Sequence, residues 1–297
     1  MNLNQQSIAA AFRGFSSVFQ GAFRGVKPQY PQFCMTVPSS TAENVYPWLK
    51  SQFFIREWIG PRRLQNLGTA DWSVKNRDFE GTVAVPRNAV KDDQLGVYKP
   101  MFEQIGHETA VFPDRLAYAL LKAGVVQKCW DGQYFFDTDH PVGPQGREVS
   151  QSNFLGGGTG PLWFLVVSSM PLKPLIYQER EAFNLVRKDT PSDDNVFFDK
   201  ELIYGTDGRC NVGFGLWQLA VASNQPLNAD NYEAARNLFG AMTKDNGEPL
   251  GVMGDLLIFP ATLEGAARKV VGVKTLAGGG DNPWYDTATL LRSAWLN

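Results

Sequence analysis

The sequence predicts an α+β fold, and three observations predict it. Apolar residues recur at helical spacing over residues 4–25 and again over 99–126. Short alternating or wholly apolar runs, such as those near 72–85, 163–167 and 256–260, read as strands. The two kinds of segment do not alternate in the regular series that a parallel sheet with crossover helices demands. With 297 residues, 43% hydrophobic and 20% charged, the chain can bury a sizeable core in one or two domains.

Each element follows from its residues. Over 4–25, Ile8, Phe12, Phe15, Phe19 and Phe23 fall on one helix face, Asn2 or Asn4 can cap the start, and Gly25 with Pro28 ends it. Gly14, Gly21 and Gly25 each weaken this helix by up to ~1 kcal/mol, so it needs a partner surface. That surface is the chain's own core, a neighbouring chain reached by a mobile arm, or a membrane, since Arg13, Arg24 and Lys27 meet no acid there. Pro28, Pro31, Pro38 and Pro47 mark an extended connector, with Thr41 to Asn44 opening a short helix towards Trp48.

Residues 56–98 form a long, charged, β-rich excursion. Trp72 and Val74 alternate, as do Phe79, Gly81, Val83 and Val85, and Asn76-Arg77-Asp78 between them reads as the turn of a hairpin. Its apolar residues are too sparse to bury both faces, and an isolated hairpin is marginal in water, so it must lie on another surface. Residues 99–126 are helical, with a break or kink near Phe112 because Pro113 suits the first position of a second stretch. Residues 130–141 read as turn, short strand and loop, and 142–161 as a Gly/Pro/Ser-rich loop. Beyond these, 163–167 is a buried strand, 175–177 and 185–186 are short strands, 229–241 is a helix, 256–260 a core strand, 263–269 a short helix and 287–291 a last strand.

The chemistry-bearing residues are few. Net charge is −2 with no basic stripe, which restricts nucleic-acid contact to something weak or local. Cys34, Cys129 and Cys210 are odd in number and far apart, which predicts free, buried thiols and a reducing compartment. No apolar run reaches the ~20 residues of a membrane span, and no basic region precedes residues 8–12, so neither a membrane segment nor a signal peptide is read. A nucleophilic triad would need His107 or His140. His107 sits near Glu103 and Glu108 on a helix, which suits an ion pair. Asp137, Asp139 and His140 imitate metal ligands in one loop, but a structural site collects ligands from elsewhere too, and a hydrogen-bonded turn is simpler. No cofactor or metal is therefore expected; a metal-dependent enzyme built on that loop is the alternative. Gly156 to Gly160 precedes a strand and lacks the lysine of a phosphate cradle, so it and Gly278 to Gly280 read as flexible loops. Basic and aromatic residues interleave at Arg56, Trp58, Arg62, Arg63, Trp72, Lys75 and Arg77, yet Glu57, Asp71, Asp78 and Glu80 dilute the stripe, and mixed charge suits protein contact.

Several runs together carry a resemblance. Arg56-Glu57-Trp58-Ile59-Gly60, Lys75-Asn76-Arg77-Asp78-Phe79-Glu80, Gly96-Val97-Tyr98, Asn282-Pro283-Trp284-Tyr285 and above all the run from Asp131-Gly132-Gln133-Tyr134 to Asp139-His140-Pro141 resemble the major head subunits of Mu-like phages along nearly the whole chain. The resemblance implies the Hong Kong 97-type capsid fold and not an enzyme. It implies an N-terminal arm and connector at 1–54, an extended hairpin loop at 55–98, a peripheral domain with a spine helix at 99–160, and an axial domain with returning peripheral strands at 161–297. The implied work is self-assembly into hexamers and pentamers of an icosahedral head around double-stranded DNA, in the host cytoplasm, with scaffold, portal and decoration proteins. A cargo-enclosing compartment of the same fold is the alternative. Expected intersubunit contacts are Arg62, Arg63, Lys75 and Arg77 pairing with Asp92, Asp93, Glu103 or Glu108 of a neighbour, Trp72 and Phe79 in the same loop, and Phe12, Phe15, Phe19 and Phe23 from the arm. In one respect the chain departs from the family, which carries more acid after the hairpin; here Pro86, Arg87, Asn88 and Lys91 stand there.

Overall fold

The computed structural model describes residues 5–50, 72–92, 95–144, 146–276 and 278–297. In chain order the elements are α1 (Gln5–Gly25), β1 (Cys34–Pro38), β2 (Glu43–Val45), β3 (Ser73–Lys75), β4 (Arg77–Pro86), α2 (Arg87–Lys91), α3 (Leu95–Ala123), β5 (His140–Val142), β6 (Val149–Gln151), β7 (Phe154–Leu155), β8 (Trp163–Val166), β9 (Leu175–Lys188), β10 (Glu201–Phe214), β11 (Ala220–Ser223), α4 (Ala229–Ala241), β12 (Leu256–Pro260), α5 (Glu264–Ala267) and β13 (Thr289–Ser293).

Two sheets organise these elements. One has the order β1-β9-β10-β4, the other β13-β12-β8-β11-β7. In the first, β9 and β10 are 14-residue antiparallel partners, and β1 runs parallel to β9. Sequence pattern shows only two fragments of β9 and none of β10. The outer half of β9 is polar and exposed, whereas β10 is largely buried but holds few large apolar side chains in sequence, with Thr206, Asp207, Arg209 and Asn211 between them. Gly205 and Gly208 also disguise β10. Gly208 is needed, because a Cβ there would lie 2.7 Å from the Phe183 ring.

The expected hairpin of residues 72–85 does not form. β3 pairs antiparallel with β2, and β4 pairs with β10 from Pro86↔Glu201 to Arg77↔Cys210. Asn76 between them is a buried pivot. Its side chain donates to Ser39 Oγ (2.8 Å) and the Thr41 carbonyl (2.9 Å) and accepts from Gln178 Nε2 (2.7 Å). These bonds hold the chain extended where a turn would have freed it. The short helix expected at 41–44 is also absent, since Glu43–Val45 is drawn into β2. The rest of the excursion, 51–71, lies outside the described residues.

α3 runs unbroken through Pro100 and Pro113, so the break expected near Phe112 is not there. Pro113 removes one helical donor, a loss of about 3 kcal/mol in isolation. Packing on both sides of it offsets the loss: Phe112 meets Phe79 and Phe183 edge-on at 4.7 and 5.6 Å. One residue on, the buried Asp114 carboxylate accepts the backbone N–H groups of Gln29 and Tyr30.

The second sheet forms the larger core. All of β8 and β12 are buried, and α4, beside β11, adds Tyr232, Ala235 and Phe239 to the same core, capped by Asn228, whose side chain accepts from Asn231 N at 2.9 Å. These elements and β13 lie within a few residues of expectation. The glycine loop at 156–160 is not loose: Asn224 accepts from Gly158 N and Gly160 N, and Gln225 donates to the Gly156 carbonyl. Gly278 to Gly280 likewise sit in a tight turn closed by Leu276 N to Gly280 O. All three cysteines are free and buried, as expected. Among the described residues no helix is long and apolar enough to cross a membrane.

Candidate assembly surfaces and the His140 cluster

The arm helix α1 docks on its own chain. Phe15 stacks on Phe102 of α3 at 4.1 Å and meets Tyr204 of β10 edge-on at 5.5 Å. Phe19 is fully buried, Phe23 stacks on it at 6.0 Å, and Phe12 lies under the Arg187 guanidinium at 4.5 Å. Within the subunit, α3 and β10 already supply a surface for these rings. Gly106 permits the fit, because a Cβ there would stand 2.4 Å from the Phe19 carbonyl oxygen. At the end of the arm, Asp114 holds the backbone of Gln29 and Tyr30, and Tyr118 donates to Gln29 Oε1 at 2.6 Å. Burial pushes the Asp114 carboxyl up, against the lowering effect of the two backbone donors. Asp114 has no sequence signature; only the fold brings it to the arm.

The expected intersubunit residues are scattered. Trp72 is half-buried against the cluster of Tyr46, Leu49, Val74 and Ile176. Lys75 and Arg77 are exposed on successive strands, and the Arg77 guanidinium sits 5.3 Å over the Phe79 ring. Phe79 lines an apolar groove of about 420 Å³ between β4 and α3, with Val83, Ile105, Phe112 and Phe183. Asp92 is exposed, Glu103 stands 4.0 Å from Lys99, and Glu108 accepts from Gln104 at 2.6 Å. His107 and Glu108 are 4.0 Å apart, both exposed. The described acids of the set meet no described cation of the set within the chain; Glu103 and Glu108 have Lys99 and Gln104 as neighbours. Arg62, Arg63 and Asp93 lie outside the described residues.

The loop reading of Asp137, Asp139 and His140 is corrected. His140 is fully buried, its ring stacked on Trp217 at 3.9 Å, and its Nδ1 faces Asp131 Oδ2 at 2.7 Å. Asp137 instead accepts from the Tyr134 and Thr138 backbone, and Asp139 is exposed. Asn153 holds the other side of the ring. Its Nδ2 lies within hydrogen-bond distance of the Phe135, Trp217 and Ala220 carbonyls, and its Oδ1 accepts from Asp137 N at 2.9 Å. That amide orientation makes Oδ1 the acceptor for His140 Nε2 at 3.2 Å. Nδ1 faces the Asp131 carboxylate, so the ring bridges Asp131 and Asn153 through its two nitrogens. Burial raises the Asp131 carboxyl, and the His140 hydrogen bond and charge outweigh it, holding it below its ordinary value. Cys129 Sγ approaches Asp131 Oδ1 at 3.1 Å, and burial pushes its thiol up. Cys129, Asp131 and His140 are a donor set for a thiophilic metal, with ligand atoms within 4.8 Å of one another. As they stand they bond to each other, a closed network that suits structure.

Known proteins share this architecture along its whole length. The family model described as the Mu-like prophage major head subunit gpT matches residues 8–296. The major capsid protein of Escherichia phage Mu is 37% identical over 285 residues, covering 94% of this chain and 93% of that one. The subunit in the procapsid of bacteriophage JBD30 superposes with a TM-score of 0.90 at 40% identity, covering 99% of this chain and all of that one. The same phage's capsid decorated with minor capsid protein trimers gives 0.75 at 32% identity, with 91% of each chain covered.

Proposed function

Because the chain belongs to the family of Mu-like prophage major head subunits, we propose that it is the subunit of an icosahedral phage head, a structural protein with the Hong Kong 97-type fold. The observation that carries this reading is likeness to a procapsid subunit over essentially the entire chain. Copies associate into hexamers and pentamers and close into a shell around double-stranded DNA. Each contact need only be modest, because many act together. A scaffold guides closure, a portal occupies one vertex, and a trimeric minor protein decorates the outside. Assembly takes place in the host cytoplasm.

Within the subunit, 1–54 serves as arm and connector, 55–98 as the extended-loop region, whose β3 and β4 pair with the subunit's own β2 and β10, 99–160 as the peripheral domain and 161–297 as the axial domain with returning strands. Two features support an intersubunit role for this region. Lys75 and Arg77 are exposed at its base, and Asp92, Glu103 and Glu108 are exposed on the following elements. The pairing of such groups between subunits fixes register more than it adds affinity.

Negative-stain electron microscopy with light scattering on the purified protein tests the reading. Closed shells, tubes, sheets or rings are expected. A protein that stays monomeric even with its scaffold would overturn it.

A further inference from the structure

α1 has two unlike faces, and the structure assigns them different work. Its phenylalanine face is consumed inside the subunit, by α3 and β10. That leaves a polar outer face to explain. Residues 1–42 hold three basic and no acidic side chains, whereas the remaining 255 hold 25 basic and 30 acidic. The three cations are Arg13, Arg24 and Lys27, all exposed. Some exposed cations elsewhere pair with carboxylates, as Arg268 and Arg292 do with Glu264 and Lys99 with Glu103, and others such as Lys75 and Lys274 do not, but those stand in segments that also carry acids. Arg13, Arg24 and Lys27 make no hydrogen bond or ion pair with any described residue.

Arg13 and Arg24 are eleven residues apart, which is three turns plus about 20°, so they share a face about 16 Å apart. Between them on that face stand the uncharged Ser17 and Gln20, with Gly21 to one side, where nothing lies within 4 Å of a Cβ. A flat, acid-free ridge of this kind can lie against a polyanion. Glu103 is the carboxylate bordering the adjoining groove, and Lys99 is beside it.

We infer that the outer face of α1, continued by Lys27, meets the phosphate backbone of packaged double-stranded DNA and so belongs to the inner wall of the shell. The inference rests on the shell reading above. Three phosphate contacts per subunit hold weakly and without sequence preference. Such a wall can be lined everywhere without gripping the DNA as it enters.

Two measurements test it. The first is binding of the purified subunit to linear double-stranded DNA over a salt series, for the unsubstituted protein and for R13Q/R24Q/K27Q. Each neutralised phosphate contributes about 0.9 to the slope of log affinity against log salt, so the variant should flatten that slope by about 2 to 3. An unchanged slope, or no binding by the unsubstituted protein, overturns the inference. The second is formaldehyde cross-linking in DNA-filled heads, with the DNA-linked peptides mapped. They should come from residues 13–27. Filled heads whose DNA links fall elsewhere, or whose arm links to an acidic head protein, overturn the arm assignment alone. If no shell forms from the unsubstituted chain with its scaffold, the shell reading fails, and the salt slope still decides the arm.

Discussion

Asp131 is wedged between a thiol and an imidazole in a site with almost no water access. Removing a buried carboxylate leaves its hydrogen-bond partners unsatisfied, which costs about 1–3 kcal/mol. Asp131→Ala should therefore lower subunit stability by about that amount in urea denaturation; a loss under roughly 0.5 kcal/mol, the least a net hydrogen bond contributes, would show that this network adds little. The acid response follows from the same pair. The Asp131 carboxyl is held below its unfolded value by His140, so its contribution is fully present above the ordinary carboxylate range and lost as pH falls through the lowered folded value. Asp131→Asn should flatten the acid limb of the stability curve, read as the change in urea midpoint between pH 6 and pH 3. An unaltered limb would place the acid sensitivity elsewhere. In sequence, the run from Asp131 to Pro141 stood out as the most specific piece of the resemblance, yet its pairing was not legible. His140 lies next to Asp139 in the chain but bonds to Asp131 and Asn153, which the turn at 131–134 and the β5–β6 pairing bring round to it.

The elements differ in how well they announce themselves. α1, α4, β8 and β12 bury a face or a whole segment of their own apolar side chains, so period and composition reveal them. β9 and β10 do not, since hydrogen bonding between neighbours is invisible to side-chain pattern. β4 reads as a strand but pairs with β10, 115 or more positions along the chain, and not with its sequence neighbour β3. The packing of α1 on α3 turns on one glycine. Gly106→Ala would push a methyl into the Phe19 backbone carbonyl, where no flexible side chain can yield. Overpacking of this kind costs about 1–3 kcal/mol. Hydrogen exchange should show faster exchange in α1 and little change in β8 and β12. Equal protection in the variant would mean that the arm does not depend on this contact.

At the scale of the molecule, the near-neutral chain conceals an uneven charge distribution, with the acid-free arm at one end and exposed mixed charge on β3, β4 and α3. Arg77 is exposed, and among the described residues it is held by the β4–β10 ladder and sits over the Phe79 ring. Arg77→Glu should leave the subunit folded by circular dichroism and reduce the yield of closed particles; normal yield would remove Arg77 from the interface. The α+β class, the buried free cysteines, the amphipathic arm, the core strands and the family resemblance were all determined by the sequence alone. Each depends on residue type and short-range spacing, which the chain carries locally. What only the tertiary structure decided is where the partners lie: that the phenylalanine face is satisfied within the subunit, that β3 and β4 part company at Asn76, that Pro113 does not break α3, and that His140 faces Asp131. These depend on contacts between residues far apart in sequence. Their free energy exists only once the chain has closed around them.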